Sequence, residues 1–276
     1  MDWNRTKTIF IWVFLILNIF LYTQYLESYN EGQKIEVLGG TTEIESQLKE
    51  DNITYIALPS NNGSAAYYSG QIKNFSPSEV PFFANQKTEI ENNNKLLVTM
   101  EKPVKLQENA GRNKFTEFLH SHVHQGDLYT LWDVDEENKV ATFFQKVNNV
   151  TLYYNVGGYV KIYWNDDERV VAYEQTMLEK HEKLEKQKNL LTPIQVLKVL
   201  YGKNLLKPDS QILKMNLGYS TSMQLTQTQV FAPTWEVRVR LSDKSEEVHF
   251  VNAVEGKILE IQNDLSEVVE EQEDLE

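Results

Sequence analysis

The amino end of the chain carries a long apolar segment, and this segment most constrains what the rest can be. Residues 9–25 (IFIWVFLILNIFLYTQY) contain eleven Ile, Leu, Val or Phe residues and no charge. At about 1.5 Å per helical residue, the segment with Leu26 is about 27 Å long, enough to cross the hydrocarbon core of a bilayer. Insertion gains about 3–7 kcal/mol, which the single polar residue Asn18 cannot cancel. We therefore predict a transmembrane helix over residues 9–26.

A cleaved signal peptide is the alternative interpretation, because it also begins with basic residues and an apolar segment. Cleavage needs small residues at the peptidase site, and residues 22–29 (YTQYLESY) contain no small-x-small pair. We therefore expect the helix to be retained as an anchor. Arg5 and Lys7 precede it and acidic residues follow it. The positive-inside rule then predicts that residues 1–8 are cytoplasmic and that the bulk of the chain is extracellular.

Composition excludes several classes of protein. The sequence contains no cysteine, so the part beyond the membrane is neither a disulfide scaffold nor a thiol enzyme. Its formal net charge of −13 argues against a nucleic-acid partner, since little would neutralise the phosphates. About 240 residues beyond the helix can bury a substantial core in one or two domains.

Helical and strand patterns beyond the anchor predict an α+β fold. One helix should begin at Pro193, after the N-cap residue Thr192, and end at Gly202. Residues 112–178 and 192–262 share the order of a helix followed by four or more antiparallel strands. This order favours two helix-on-antiparallel-sheet modules, with residues 41–105 added to the first.

The predicted organisation follows changes in composition along the chain. We predict a cytoplasmic tail at 1–8, a transmembrane helix at 9–26, a juxtamembrane linker at 27–40, a first module at 41–178, a polar linker at 179–190, a second module at 191–263 and an acidic tail at 264–276. In the second module Trp235, Val237 and Val239 alternate with Glu236 and Arg238. This alternation predicts a strand with one buried face and one solvent-facing face.

Residues 120–124 (HSHVH) form a histidine cluster of the kind that can bind a metal ion. On a helix, His120 and His124 would share a face, as two ligands of one ion would. The nearest acidic residue, Asp127, lies in a predicted turn, and there is no HExxH pattern. Histidines at a helix end also interact favourably with terminal carbonyl groups and with the dipole. We prefer this structural role, keep a metal site as the alternative, and predict no cofactor.

Other patterns for catalysis are weak or missing from the sequence. There is no GxSxG nucleophile motif and no glycine-rich phosphate loop. The acids at 166–168 (DDE) could bind calcium or act as an acid–base pair, but solvated acids are ordinary at a hairpin tip. No constellation of side chains looks catalytic, so we predict that the protein is not an enzyme.

The membrane helix itself is the strongest candidate for a contact with a partner. A side-chain amide in hydrocarbon seeks a hydrogen-bond partner, and a bond across helices contributes about 0.6–2 kcal/mol. Asn18 could also be merely tolerated in so apolar a helix. We favour a lateral helix contact through a face whose residues share helical spacing with Asn18: Ile11, Phe14, Leu15, Asn18, Leu21, Tyr22 and Tyr25.

The amino-terminal sequence also resembles that of a known family. Residues 2–3 (DW), 6–11 (TKTIFI) and 14–21 (FLILNIFL) resemble the start of the YycI (WalI) family, accessory membrane proteins of the essential cell-wall two-component system of Gram-positive bacteria. Length, single anchor and two-module exterior agree with this family. Residues 235–237 (WEV) and 250–258 (FVNAVEGKI) are similar to the closing strands of PepSY-like folds.

The resemblance implies a non-enzymatic regulator in signal transduction. Members of the family associate through membrane helices with a sister protein, YycH, and with the sensor histidine kinase YycG (WalK), and so modulate the kinase. Two alternatives belong to other classes. One is an extracytoplasmic cell-wall enzyme or ligand-binding protein, whose site would gather His120, Asp127 and Asp166. The other is a passive envelope scaffold that leaves kinase activity unchanged.

Overall fold

A computed structural model describes residues 3–37, 41–59, 63–80, 83–106, 111–184, 187–224 and 227–259. The helices are α1 (Trp3–Val37), α2 (Thr41–Glu50), α3 (Thr116–His122) and α4 (Pro193–Gly202), and a 3-10 turn, Gly111–Phe115, leads into α3. The strands are β1 (Thr54–Tyr55), β2 (Ser64–Ala65), β3 (Tyr68–Ile72), β4 (Gln86–Glu91), β5 (Lys95–Lys105), β6 (Tyr129–Asp135), β7 (Val140–Val147), β8 (Val150–Tyr153), β9 (Tyr159–Trp164), β10 (Arg169–Thr176), β11 (Leu178–Lys183), β12 (Lys188–Asn189), β13 (Gln211–Gln224), β14 (Thr228–Arg240), β15 (Glu246–Asn252) and β16 (Ile258–Leu259). The predicted acidic tail, 264–276, lies outside the described residues.

The apolar segment predicted to span the membrane lies within α1. The window Lys7–Gln24 is long and apolar enough to cross a bilayer, and no other part of the described chain covers it. The helix continues through residues 27–37, where the sequence suggested a polar linker. That stretch contains no proline, and extending an existing helix is far easier than nucleating a new one. The helix therefore carries the chain well beyond the predicted membrane boundary.

One continuous 14-stranded sheet dominates the exterior. Its main path runs β11-β3-β14-β13-β8-β7-β9-β10-β5-β4, and β1, β6, β15 and β16 pair alongside this path. Strands β2 and β12 form a separate two-stranded ladder. The pairs β1–β13 and β8–β13 are parallel, whereas the other ladders are antiparallel. With helices on this sheet, the chain has the α+β class that the sequence predicted.

The first core lies where α3 packs on β4–β7, β9 and β10. Phe115, Phe118 and Leu119 are buried there against strand residues such as Phe143. The Phe115 ring meets the Phe143 ring edge-on at 6.3 Å between centroids and tilts against the Trp164 ring at 4.8 Å. Each large apolar side chain buried in this way contributes about 1.5–3 kcal/mol. This packing holds the short helix in place.

The second core lies where α2 and α4 pack on β13–β15. Its fully buried members include Leu197 and Leu200 of α4, and Trp235 on the facing strand. The start of α4 has Thr192 at the N-cap and Pro193 at the first position, as the sequence predicted. The structure adds a capping box, in which the side chain of Gln195 accepts the backbone N–H of Thr192 at 2.8 Å. The Trp235 indole also donates to the Leu191 carbonyl at 2.9 Å, which ties β14 to the approach to α4.

The described helix and strands of residues 41–72 pack on or pair with elements of the second core, so their assignment to the first module was wrong. Ile44 and Leu48 of α2 pack with α4, β1 pairs with β13, and β3 pairs with β14. The physical reason is that α2 is amphipathic and must bury its apolar stripe on a complementary face. Nearness in sequence does not decide which face that is.

The first core is therefore an insertion within the second. We call residues 73–177 the inserted unit, and residues 41–72 with 178–259 the outer unit. The two chain ends of the inserted unit lie side by side, since the Lys73 N–H donates to the Met177 carbonyl at 2.8 Å and Ile72 pairs with Leu178. The predicted polar linker 179–190 is not a plain linker, because its first part continues β11 on β3. An edge strand can carry many charged side chains because one side of it faces water.

Candidate functional site

The predicted partner-contact face of α1 is fully available on the outside of the helix. Ile11, Phe14, Leu15, Leu21 and Tyr22 are between 45% and 65% exposed, and nothing else in the described chain packs on them. Tyr25 lies on the same helix. Residues on the opposite face are exposed to the same degree: Ile16 63% and Phe20 57%. Exposure therefore does not favour one face, and only Asn18 distinguishes the predicted one.

The amide of Asn18 is bonded within its own helix. Its Nδ2 donates to the backbone carbonyl of Phe14, one turn earlier, at 2.9 Å. Thr23 makes the same kind of bond, with its Oγ1 donating to the Phe20 carbonyl at 2.8 Å. Because an amide has two N–H groups and a carbonyl oxygen, this bond lowers the cost of Asn18 in lipid without using its full hydrogen-bonding capacity.

The histidines at 120–124 do not share a helix face. Helix α3 ends at His122, and the next residue, Val123, is extended, so His124 lies beyond the helix. His120 Nδ1 instead contacts the Asp127 carboxylate, and His122 stacks on Phe118 with 4.8 Å between ring centroids. In the described ranges, no group of three or more His, Cys, Asp or Glu side chains is arranged to hold a metal ion.

Backbone groups of this segment have a clear structural use. The His122 carbonyl accepts hydrogen bonds from Gln86 Nε2 at 3.1 Å and from the Tyr173 hydroxyl at 3.0 Å. The His124 carbonyl accepts one from Gln175 Nε2 at 2.7 Å. Strand side chains thus satisfy carbonyl groups that the end of α3 leaves open. Burial lowers the pKa of His122 and of His124, which keeps both rings neutral near pH 7.

The three residues that the alternative of an enzyme site requires are not all brought together. His120 and Asp127 touch beyond the end of α3, whereas Asp166 lies at the β9–β10 turn with its side chain 98% exposed. The same turn contacts the start of the helical segment, through the Glu168 carboxylate 3.7 Å from Lys114 Nζ. Ser121 pairs with a different histidine, His122, at 2.7 Å. No Ser–His–Asp relay can form from these pairs.

A partly buried ion pair on β14 was not predicted from the sequence. Glu236 was expected to face solvent, but its side chain is 2% exposed. Its Oε1 lies 3.3 Å from Arg238 Nη2, and its Oε2 accepts a hydrogen bond from Asn216 Nδ2 at 2.8 Å. The expectation was wrong because the inserted unit covers the face of β14 opposite the helices. The sequence signal for this ion pair was that Glu236 and Arg238, with opposite charges, lie two residues apart on the same face of the strand.

Comparisons with known proteins agree with the sequence resemblance. The family model described as YycI protein matches residues 33–254. Among curated proteins, none matches this chain. The chain is also similar, at a low level, to several solved structures. An uncharacterized protein from Eubacterium rectale ATCC 33656 has 12% identity, covers 77% of this chain and 92% of its own, and has a TM-score of 0.45.

The Bacillus megaterium YpeB C-terminal domain has 16% identity, covers 81% of this chain and 96% of its own, and has a TM-score of 0.41. YycH from Bacillus subtilis has 11% identity, covers 75% of this chain and 54% of its own, and has a TM-score of 0.37. At these scores, none of the three similarities supports a functional conclusion.

Proposed function

Because the chain belongs to the YycI family, we propose that it is a membrane-anchored, non-enzymatic regulator that binds a sensor histidine kinase of the YycG (WalK) type. A YycH-like sister protein is its second expected partner. YycI is a family of regulatory accessory proteins associated with the membrane. The observation that carries the proposal is the family match over residues 33–254, which covers most of the exterior.

We propose that α1 is the contact with these partners. Its apolar window Lys7–Gln24 has no cover from the rest of the described chain, so lipid or another helix must surround it. The side chains of this face are too large to let the backbones of two helices approach closely. The association would therefore depend on the packing of large side chains and on the amide of Asn18. The proposed face comprises Ile11, Phe14, Leu15, Asn18, Leu21, Tyr22 and Tyr25.

Regulation then follows from a difference in affinity. If α1 docks better on one conformation of the kinase than on the other, the kinase population shifts toward the preferred conformation. A coupling free energy of about 1–3 kcal/mol changes the output about 5- to 150-fold. We also propose that the two helix-on-sheet units are PepSY-like modules, each with a helix packed on antiparallel strands, that lie outside the cell.

The test replaces side chains on the two faces of α1. We expect the double variant Phe14→Ala/Asn18→Ala to lower co-purification of the kinase by tenfold or more and to change its autophosphorylation in reconstituted membranes. The matched control, Ile16→Ala/Phe20→Ala, removes similar apolar bulk from the opposite face and should leave both quantities near wild type. If both double variants behave like the wild type, α1 is not the docking element and the mechanism is wrong.

A further inference from the structure

The inserted and outer units meet along a narrow backbone contact. Strand β8 of the inserted unit pairs with β13 of the outer unit, where Leu152 lies opposite Tyr219 and Tyr153 lies opposite Ser220. The remaining support comes from side chains on both faces of this contact. We call the β8–β13 pairing and the side chains packed around it the junction.

On one face of the junction, an aromatic cluster encloses the ion pair of β14. The Tyr153 hydroxyl of the inserted unit reaches the Glu236 carboxylate of the outer unit at 3.5 Å. The Arg238 guanidinium lies over the ring of Trp132, 5.3 Å from its centroid. Phe250 of β15 packs on Tyr153 with 5.2 Å between centroids. Both units therefore contribute to one buried, charged and aromatic contact.

Tyr154 shows how firmly this cluster is packed. Its φ of 46° lies in the left-handed region, which costs a non-glycine residue about 1–2 kcal/mol. Its hydroxyl accepts the indole N–H of Trp132 at 3.0 Å, and its ring packs on Phe144 at 4.9 Å and on Phe250 at 5.8 Å. Contacts to both units thus hold this backbone conformation in place.

Buried polar groups link the units elsewhere in the junction. Asn155 Nδ2 of the inserted unit donates to Thr221 Oγ1 at 2.6 Å and also to Gln229 Oε1, both on the outer unit. Gln145 donates to the Leu178 carbonyl at 2.8 Å and accepts the Leu178 N–H at 2.8 Å, as a strand residue would. These buried amides stabilise only one relative position of the two units, because a shift of one unit would leave the amide groups without hydrogen-bond partners.

A glycine allows the closest approach within the junction. A Cβ added at Gly218 of β13 would lie 2.2 Å from Tyr153 Cε2 and 2.7 Å from the Thr151 carbonyl oxygen. The second contact is with backbone and cannot be relieved by turning a side chain. Any larger residue at position 218 must therefore push β8 away from β13.

The outer unit also connects the exterior to the membrane. Helix α2 begins at Thr41 and α1 ends at Val37, so four Cα–Cα steps of about 3.8 Å limit their separation to about 15 Å. The inserted unit has no such link, because its two ends enter the outer unit beside each other. Along the covalent chain, the inserted unit is connected to α1 through the outer unit.

We propose that the junction fixes the inserted unit rigidly on the outer unit, so that the exterior acts on the membrane helix as one body. This goes beyond binding of a kinase, because it assigns a mechanical role to residues far from α1. The ion pair, the aromatic cluster and the buried amides fix the orientation of the inserted unit relative to the outer unit. A contact made on the inserted unit then moves the outer unit with it.

The test measures the distance between the units in the full chain in lipid nanodiscs. The protein has no cysteine, so Thr116→Cys on α3 and Lys203→Cys after α4 give one spin label in each unit. We expect a single narrow distance distribution by pulsed electron paramagnetic resonance. The variant Gly218→Ala should broaden or displace it. Gly202→Ala is the matched control, because a Cβ there meets nothing within 4 Å, and it should leave the distribution unchanged.

Two results would overturn the proposal. One is a broad distribution in the wild-type chain, and the other is an unaltered distribution in Gly218→Ala. If Gly218→Ala fails to fold by circular dichroism, Asn155→Ala takes its place, since it removes the links to Thr221 and Gln229 without adding bulk. An unaltered distribution in folded Asn155→Ala would equally contradict the role of the junction. None of these measurements involves a kinase, so they stand apart from the test of the proposed function.

Discussion

At the scale of single residues, a few buried polar side chains do work that an apolar residue could not. Gln145 is completely buried, and its amide forms both hydrogen bonds of the Leu178 backbone at 2.8 Å. It takes the place of a neighbouring strand at a point where the chain passes from the inserted to the outer unit. The Gln145 amide therefore satisfies the backbone N–H and carbonyl of Leu178, which no neighbouring strand of the described chain bonds at this point.

We predict that Gln145→Leu destabilises the protein by about 2–6 kcal/mol. The substitution keeps the size of the side chain but leaves the buried N–H and carbonyl of Leu178 without their partner, at about 1–3 kcal/mol for each group. Urea unfolding followed by tryptophan fluorescence measures the change. Gln211→Leu, at an exposed position of β13, is the control and should stay within about 0.5 kcal/mol of wild type. Equal midpoints for the two variants would contradict the role of Gln145.

Residue patterns in the sequence predicted buried apolar positions better than buried polar ones. Trp235, Val237 and Val239 lie in the core as their alternation indicated. Glu236 and Arg238, which share the strand, were expected in water, and Glu236 is instead enclosed by the junction. Alternation reports that one face of a strand differs from the other. It does not report whether a second unit covers the polar face.

At the scale of secondary-structure elements, local signals predicted α4 well because its start is encoded by adjacent residues. Thr192 at the N-cap and Pro193 at the first turn are both present in the structure. By contrast β4, Gln86–Glu91, was not predicted, because its mostly polar side chains have low strand propensity. This segment forms a strand because it pairs with β5, and the residues of the segment alone do not indicate that pairing.

We predict that Thr192→Ala lowers the free energy of unfolding by about 0.5–2 kcal/mol. The change removes the side chain of the N-cap residue and leaves an N–H group at the start of α4 without its partner. Urea unfolding is again the measurement. Thr116→Ala tests the same substitution at the start of α3, where no side-chain cap is present, and should not destabilise the protein. A larger loss at Thr116 than at Thr192 would refute this account of the cap.

At the scale of the whole molecule, a 14-stranded sheet carries two main cores, and the sequence did not predict how these are connected. It predicted two successive modules, whereas the inserted unit lies between β3 and β11. The reason is physical. Helix α2 and strands β1 and β3 find their partners more than a hundred residues later, and no local pattern records such distant pairing. The membrane helix could be predicted because length and composition alone define it.

We predict that the amino end of α1 is cytoplasmic and the exterior is extracellular, as Arg5 and Lys7 indicate. The absence of cysteine allows a direct measurement with single-cysteine variants. Lys203→Cys should react with a membrane-impermeant maleimide in intact cells, whereas Asn4→Cys should react only after the cells are permeabilised. The unmodified chain gives the background. The opposite reactivity, or loss of the first 26 residues from the mature protein, would contradict the predicted orientation and anchor.

The adjacent ends of the inserted unit have a consequence for how the chain matures after export. In the orientation that we propose, the polypeptide emerges outside the membrane amino end first, and residues 73–177 can close into their own core before the rest follows, since Lys73 and Met177 meet at the ends of the unit. Helix α2 and strand β3 emerge earlier but must wait for β13 and β14, which come last. Until then their apolar surface is open to chaperones, proteases and self-association. The interval between membrane insertion and completion of the outer unit is thus the vulnerable period in the life of this protein.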